Sequence, residues 1–484
     1  MSVTESRISK AVFFIISVIA FVYVVFRAYL IEITHDEAFS FLLVYTNYFR
    51  AMVSTANTHW LNSFFIKLFS VIIGNDPWML RIHSVVGFLV YVYALYLFLQ
   101  ELKLLSSRII LISLLIVNQF ALEYFSFARG YGLSFSFFML ALFYAFKAIS
   151  AENNEYGLHK KFLIFGFISL AANYTVFFQL WGMFLFLMYD VYKKSGGISI
   201  FRERKWKNEI VLFLLASFVT VANLMLIKVI NNDLRYGGDN SFFTETLGGI
   251  LSQIVNGPPM KGTTQIIDVG SAVFFVLVLT VFIYGIFTKK QKIIFFSGLF
   301  FFQFTVNHIV FFLFKTPFPM LRTALALLPS IALSFIWFVD EVNWNKQVKN
   351  LTSIMVLLSM LYFFISTYSV DKAYEWREQY CSKEIIDVIN DDAKALDIVK
   401  PSVYIDKKTN AVYVNYYHPL NTENYHFKNT VYDRLIFIDN NSYSKFDYII
   451  INNYSSDIPV DTNRLLLLAR FDEINYSVYK TIKH

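Results

Sequence analysis

The chain has 484 residues, of which 56% are hydrophobic and only 16% are charged, with a mean hydropathy of +0.50. This composition excludes a soluble enzyme, a disordered protein and a secreted disulfide scaffold, because only lipid accommodates so much apolar surface. Residues 1–370 hold 28 basic and 18 acidic side chains, so the net charge of +7 comes from the apolar part and predicts membrane orientation rather than nucleic-acid binding. Cys381 is the only cysteine, which excludes an intrachain disulfide and argues against a cysteine-based metal site.

Apolar stretches long enough to cross a bilayer recur along residues 1–370. The long stretch 162–192 is interpreted as two short spans that turn near Asn173, so we predict a mainly α membrane protein with a bundle of about eleven transmembrane helices. The predicted spans are 11–30, 82–100, 107–123, 131–149, the two within 162–192, 209–230, 271–288, 292–313, 321–339 and 348–368.

Lysine and arginine positions predict the orientation. Arg7 and Lys10 precede the first span, which lacks a small-residue cleavage site and is expected to remain as an anchor. Placing the N-terminus in the cytoplasm puts 18 of the 28 basic residues in short inner loops. The first loop, 31–81, and the segment after 370 then lie outside the cytoplasm.

Two surface helices are predicted in the first outer loop. Residues 60–73 are apolar but too short to span, and the polar residues before and within them form one helical stripe that includes His59 and Lys67. Upstream, Thr34 and Glu37 have the spacing of a capping box, which places Asp36 and Glu37 in the first turn of a helix. Glu37 is therefore either a capping residue or a catalytic one, while Asp36 is a catalytic candidate that gains from the helix dipole.

Further candidates lie in the other outer loops. Glu123 and Arg129 flank the junction of two spans, where Arg129 either reaches lipid headgroup phosphates or holds a substrate phosphate. Lys315 and Arg322 enter a later span, and the longer loop 231–269 carries Arg235; both loops are plain connectors unless they bind substrate.

Under this topology one carboxylate and a set of cations share the outer face: Asp36, His59, Arg81, Arg129, Arg235, Lys315 and Arg322. Cations that neutralise a leaving phosphate and a carboxylate that accepts a proton from a hydroxyl are the groups needed to use a lipid-linked phosphate donor. Arginine and lysine neutralise a monophosphate by themselves, so no cofactor is required, and a role for a divalent metal stays open.

Residues 371–484 predict a small soluble α/β domain, which we interpret as a cap or an acceptor-docking module. A helix beginning at Ser382 places Ile385, Ile389, Ala393 and Leu396 on one face. Short strands are predicted at 403–405, 412–416, 435–438, 448–451 and 476–479.

Several motifs together resemble a known family. The segment 35–38, residues 57–69, Gly74 and Arg81 resemble the first outer loop of GT-C class membrane glycosyltransferases, in particular protein O-mannosyltransferases and the bacterial aminoarabinose transferase for lipid A. Residues 128–133 resemble the family's Ala-Arg-x-Tyr-x-Leu segment, and 320–329 resemble a late Arg-to-Pro span. The similarity extends in order and spacing over about residues 30–340.

The resemblance implies a GT-C bundle that transfers a sugar, with inversion, from a dolichyl- or undecaprenyl-phosphate donor outside the cytoplasm. It implies that Asp36 is the general base, that His59 lies by the donor phosphate, and that Arg129 and Arg322 are the matching cations. Lys67, Arg81, Arg235 and Lys315 are further substrate-binding candidates on the same face.

The sequence also departs from the family pattern. Trp60 and Leu61 replace the usual Pro-Pro, and Phe127 stands where relatives carry an acid, so a second catalytic or metal-binding acid is in doubt. Glu123, four residues earlier on the same helical face, is a candidate substitute.

The acceptor is expected to be a lipid, a surface glycan or a protein, and the location a bacterial cytoplasmic membrane. The alternative function is transport or flipping of a lipid-linked glycan, although transporters place charges near mid-membrane and often in repeated halves. A non-catalytic scaffold that uses the outer domain is the third hypothesis.

Overall fold

The structure is a computed structural model that describes residues 3–54, 59–231, 237–255, 264–373, 382–398, 403–405, 447–452, 465–472 and 476–482. The chain divides into two compact units. We call the first, Met1–Tyr29 with Phe49–Tyr368, the membrane unit and the second, Leu30–Tyr48 with Ser369–His484, the tail unit. Predicted strands 412–416 and 435–438 lie outside the described residues.

The membrane unit is built of helices. Their bounds are α1 (Val3–Leu30), α2 (His35–Ser54, which begins in the tail unit), α3 (Trp60–Ile72), α4 (Pro77–Glu101), α5 (Leu105–Leu115), α6 (Gln119–Glu123), α7 (Tyr131–Ser150), α8 (Tyr156–Ala172), α9 (Phe177–Ser195), α10 (Arg204–Asn231), α11 (Gly248–Val255), α12 (Thr264–Thr288), α13 (Gln291–Phe314), α14 (Leu327–Glu341) and α15 (Lys346–Thr367). Single 3₁₀ turns follow α6 and precede α9 and α14.

The predicted spans all coincide with helices. Within the described residues, eight helices are long and apolar enough to cross a membrane, and α5 with α6 forms a ninth candidate that is bent by 50°. The remaining two predicted spans are α8 and α14, of 17 and 15 residues. The stretch 162–192 does break at Asn173, where the side chain accepts a hydrogen bond from the amide of Thr175 and starts a new turn. The protein is therefore an integral multi-pass membrane protein.

Helix α3 buries polar residues of its first turn and exposes several apolar ones. Asn62 and Ser63 are fully buried, whereas Phe64, Val71 and Ile72 are exposed. Its 13 residues rise only about 20 Å, too little to cross a bilayer. The helix therefore turns its polar side toward the protein and its apolar side outward, as a helix resting in the membrane surface does.

An aromatic layer lies toward the end of the bundle where α4, α7 and α14 end and α13 begins. Phe146 of α7 lies 5.6 Å from the ring of Phe296 on α13 and 5.2 Å from Trp337 on α14, and Phe98 of α4 packs against both phenylalanines. All four side chains are buried. The four rings form an apolar layer, and the ammonium group of Lys292 lies 4.0 Å from the ring centroid of Trp337.

Besides the first part of α2, the described residues of the tail unit form a helix and a four-stranded sheet. They are α16 (Ser382–Ala395), β1 (Val403–Ile405), β2 (Tyr448–Asn452), β3 (Leu465–Phe471) and β4 (Tyr476–Thr481). The strand order is β1-β2-β4-β3, with β1 parallel to β2 and the other pairs antiparallel. This confirms the predicted small α/β fold.

Two details of the tail unit differ from expectation. Ile385, Ile389 and Ala393 are buried on α16 as predicted, but Leu396 is 48% exposed because the helix ends one residue before it. Strand β3 was not predicted. It lies at the sheet edge, and its four successive leucines lack the polar–apolar alternation that marks a half-buried strand.

Candidate functional site

The predicted capping box is present at the start of α2, in the tail unit. The carboxylate of Glu37 accepts hydrogen bonds from the amide (3.1 Å) and hydroxyl (3.0 Å) of Thr34, and the Thr34 hydroxyl accepts from the Glu37 amide (3.3 Å). Glu37 is buried, and its position in the box is explained by the helix start. Asp36, in the same first turn, is 7% exposed.

In the membrane unit, the segment between α6 and α7 is held by buried hydrogen bonds to three helices. The hydroxyl of Ser84 on α4 donates to the carbonyl of Phe127 (2.6 Å), and the amide of Asn62 on α3 donates to that of Ala128 (3.0 Å). Ser126 in turn donates to the carbonyl of Val24 on α1 (3.3 Å). The segment that carries Arg129 is therefore anchored on both α3 and α4.

Gly130 makes the turn that follows Arg129. Its φ of +75° is unfavourable for other residues, and a Cβ there would lie 2.4 Å from the carbonyl oxygen of Ala172. The same Cβ would lie within 3.3 Å of the Cβ atoms of Asn62 and His59. The glycine in the Ala-Arg-Gly-Tyr sequence is thus required by close packing against α3 and the end of α8.

Three of the predicted cationic residues lie around this segment. Arg81 and Arg129 are buried to within 1% exposure, and His59 is 5% exposed. Arg81 donates to the carbonyl of Ala28 (3.1 Å), and its guanidinium carbon lies 5.6 Å from the ring centroid of Phe127. We call the end of the bundle where these residues lie the arginine end.

His59 is oriented by neighbours on two other elements. Its ring packs edge-on against Tyr131, the first residue of α7, at 5.7 Å. Its Nε2 lies 3.2 Å from the amide nitrogen of Asn173. Because the Asn173 oxygen accepts from Thr175, the nitrogen is the atom turned toward His59, so Nε2 is the acceptor and the ring proton resides on Nδ1.

A fourth cation at this end was not predicted. Arg27, in the last turn of α1, forms a buried ion pair with Glu123, and its Nη1 lies 3.3 Å from the hydroxyl of Tyr23. Gln119 donates to the same hydroxyl (2.7 Å). The sequence feature that could have identified Arg27 is a lone charged residue near the end of an otherwise apolar span. Glu123, predicted to bind substrate, is engaged with Arg27 and joins α1 to α6.

The other predicted cations are more dispersed. Lys67 is half-buried on α3, Arg322 is 9% exposed in the 3₁₀ turn before α14, and Lys315 is exposed at the end of α13. Arg235 lies outside the described residues. The structure therefore brings His59, Arg81 and Arg129 to one segment and leaves Lys315 at the surface.

The loops that carry the later candidates are joined. Gly238 and Phe318 exchange two backbone hydrogen bonds of 3.0 and 2.9 Å, and Thr246 donates to the carbonyl of Pro319 (2.5 Å). These hydrogen bonds therefore hold the loop 231–269 against the loop that precedes Arg322. Within the described part of the chain, no three His, Cys, Asp or Glu side chains converge to hold a metal ion.

We predict that Gly130→Ala lowers the midpoint of thermal unfolding of the detergent-solubilised protein. The left-handed backbone alone costs about 1–3 kcal/mol for a non-glycine residue, and the contact with Ala172 adds to it. Gly157→Ala is the control, because a Cβ at Gly157 meets nothing within 4 Å. Equal midpoints for the two variants would contradict the packing described for Gly130.

We also predict that Glu123→Gln destabilises the membrane unit by about 3–5 kcal/mol, because the loss of one charge from a buried ion pair is strongly destabilising. Glu203→Gln is the control. Glu203 pairs with Lys205 at 3.1 Å with both side chains 48% exposed, so its loss is expected to cost less than about 1 kcal/mol. Unfolding by sodium dodecyl sulfate in mixed micelles measures both, and a similar small loss would argue against the pair.

Comparison with known proteins finds a likeness in fold only. No protein-family model and no curated protein sequence matches the chain. Among solved structures, ArnT from Cupriavidus metallidurans bound to undecaprenyl phosphate is similar with a TM-score of 0.56 and 9% sequence identity, and the match covers 98% of each chain. The apo form of the same protein gives a TM-score of 0.55 at 9% identity over 98% of this chain and 97% of that one. The chain thus has an ArnT-like, GT-C-like fold over nearly its whole length, as the sequence motifs predicted.

Proposed function

We propose that the protein is a membrane glycosyltransferase that transfers a sugar from a polyprenyl-phosphate donor to an acceptor hydroxyl. The observation that carries the proposal is the fold likeness over 98% of each chain to a protein bound to undecaprenyl phosphate, together with buried cations at one end of this bundle. The transfer proceeds with inversion at the non-cytoplasmic surface of a bacterial cytoplasmic membrane, and the acceptor is a lipid, a glycan or a protein.

The arginine end supplies what a leaving phosphate needs. Arg81 and Arg129 are withdrawn from water, where a guanidinium group pairs strongly with phosphate oxygens through two parallel hydrogen bonds. The negative charge on the phosphate grows as the bond to the sugar breaks, so cations held in place in advance stabilise the transition state more than the ground state. His59, with Nδ1–H as its donor, adds a further hydrogen bond to the phosphate.

The remaining predicted cations are assigned a weaker, longer-range role. Lys67, Arg235, Lys315 and Arg322 contribute positive potential that attracts the anionic lipid headgroup. Neutralisation by arginine and lysine makes a divalent metal dispensable in this proposal. Glu123 supports the site indirectly, because its ion pair holds Arg27 and the last turn of α1 in position.

Asp36 acts as the general base. An inverting transfer needs a base that takes the acceptor proton on the sugar face opposite the leaving group. Glu37 is engaged in the capping box, so of the two carboxylates in the first turn of α2 we assign proton transfer to Asp36. Glu37 assists catalysis by fixing the start of the helix that carries Asp36.

We predict that Arg129→Gln weakens binding of undecaprenyl phosphate by at least about tenfold, because charge-assisted hydrogen bonds contribute about 1.5–3 kcal/mol each. Native mass spectrometry of the purified protein titrated with the lipid measures the dissociation constant. Arg202→Gln, at an exposed arginine in the turn between α9 and α10, is the control and is expected to bind normally. Arg129→Lys keeps the charge and is expected to give an intermediate affinity if the fold is intact. Undiminished binding in Arg129→Gln would contradict this donor site.

We predict that Asp36→Asn lowers sugar transfer by about 10²–10⁴-fold without changing the affinity for undecaprenyl phosphate, because it removes only the base. Mass spectrometry of envelope lipids and glycans from cells with and without the protein identifies the product, whose formation is then followed in membranes. Asp76→Asn, at the exposed residue before α4, is the control. Normal turnover in Asp36→Asn would remove Asp36 from the mechanism. Lipid movement across vesicles with no glycosylated product would instead establish a flippase.

A further inference from the structure

Amide side chains line the inside of the bundle above the aromatic layer. On α13, Gln303 and Asn307 follow Phe296 by 7 and 11 residues, so they continue the stripe that Phe296 turns toward the centre of the bundle. Both are buried, at 2% and 6% exposure. They lie about 10–16 Å further along the helix than the ring of Phe296, at 1.5 Å per residue.

Two neighbouring helices, α9 and α14, place polar side chains at about the same depth in the bundle as Gln303. Ser330 of α14 precedes Trp337 by 7 residues on the same face, and its helix runs opposite to α13. On α9, a Cβ at Gly182 would lie 2.9 Å from Phe302, and one at Gly298 would lie 2.6 Å from Phe186, so α9 is also antiparallel to α13. Gln179, one turn before Gly182, therefore lies near the level of Gln303.

Gln179, and with it the level of Gln303, lies close to the arginine end. Helix α9 begins four residues after Asn173, whose amide nitrogen contacts His59, and Gln179 follows Asn173 by six residues. The N-terminal end of α9 and the C-terminal end of α13 are thus at the same end of the bundle as Arg81 and Arg129. The aromatic layer lies about 10 Å further into the bundle than Gln303, measured along α13.

Each of these three amide side chains has one atom without a hydrogen-bond partner among the described residues. Gln179 donates to the hydroxyl of Ser330 at 3.4 Å, but its Oε1 has no hydrogen-bond partner among the described residues. The same is true of Oε1 of Gln303 and Nδ2 of Asn307 within that part of the chain. Buried amide atoms without partners destabilise a fold, so their presence on the two adjoining helices α9 and α13 points to a ligand that completes them.

We propose that Gln179, Gln303 and Asn307 bind the hydroxyl groups of the sugar carried by the donor lipid. This inference rests on the proposed function and adds the place where the sugar is recognised. An amide side chain offers both an acceptor oxygen and a donor nitrogen, which matches a hydroxyl group that donates and accepts. A sugar attached to a phosphate at Arg81 and Arg129 has its hydroxyls at one end of the bundle, and the aromatic layer beneath limits how deep it enters.

The test compares binding of the lipid with and without a sugar. The probes are undecaprenyl phosphate and its glucose, mannose and 4-amino-4-deoxyarabinose derivatives, titrated against the full-length protein by native mass spectrometry. The variant is Gln303→Met combined with Asn307→Leu, which removes the amides at similar volume. Thr305→Val is the control, because Thr305 lies on an exposed face of α13 and bonds only within its own helix.

We expect the wild type to bind at least one sugar-linked lipid tenfold more tightly than undecaprenyl phosphate. The double variant is expected to lose that preference while its affinity for undecaprenyl phosphate stays within twofold. Its midpoint of thermal unfolding is expected to be unchanged or higher, since amides with a merely structural role would lower it on removal. The control is expected to keep the preference.

Two results would overturn the inference: equal binding of all four lipids by the wild type, or a preference that survives in the double variant. If the double variant does not fold, the single variants Gln303→Met and Asn307→Ser decide, because either must reduce the preference. Failure of the wild type to bind undecaprenyl phosphate at all would contradict the proposed function itself.

Discussion

Arginine side chains that enter an apolar helix bundle need oxygen partners, because a buried guanidinium group that has lost water is otherwise strongly destabilising. Arg27 meets this need with the carboxylate of Glu123, and Arg81 with the carbonyl of Ala28. Both contacts involve the last turn of α1, which is thereby held against α6 and α4. The arrangement of the arginine end follows from these pairings. In the proposed enzyme, the donor phosphate is an additional oxygen partner for the buried Arg129.

The irregular backbone between α6 and α7 is the second consequence of the membrane environment. Non-helical backbone at membrane depth is tolerated only where protein groups satisfy its polar atoms. Here Ser84 and Asn62 supply those hydrogen bonds, and Gly130 permits the close turn. The His83 ring nitrogen, 2.7 Å from the Asn62 oxygen, fixes the amide that donates to Ala128. A loop held this firmly keeps the residue that follows it in position, which a preorganised phosphate site requires.

Polarity within the bundle changes along its axis. Aromatic rings pack together away from the arginine end, whereas buried amide and hydroxyl side chains lie nearer to it, and several of their atoms have no hydrogen-bond partner among the described residues. A bundle selected for stability alone would continue the aromatic packing to its end. The change in polarity is therefore consistent with a ligand whose apolar tail remains in lipid and whose polar head enters between the helices.

The sequence by itself determined the class of protein, the position of nearly every membrane helix and the capping box at Thr34 and Glu37, because apolar length, flanking charge and cap spacing are local properties. It also identified Arg81 and Arg129 as candidates. Only the tertiary structure decided which charged groups share a site. The pair of Arg27 and Glu123 joins residues 96 apart, and the amide layer depends on how α9, α13 and α14 are aligned. Helical periodicity tells which face of a helix is buried, but not which residues of another helix lie at the same level, since that register is set by side-chain packing between helices.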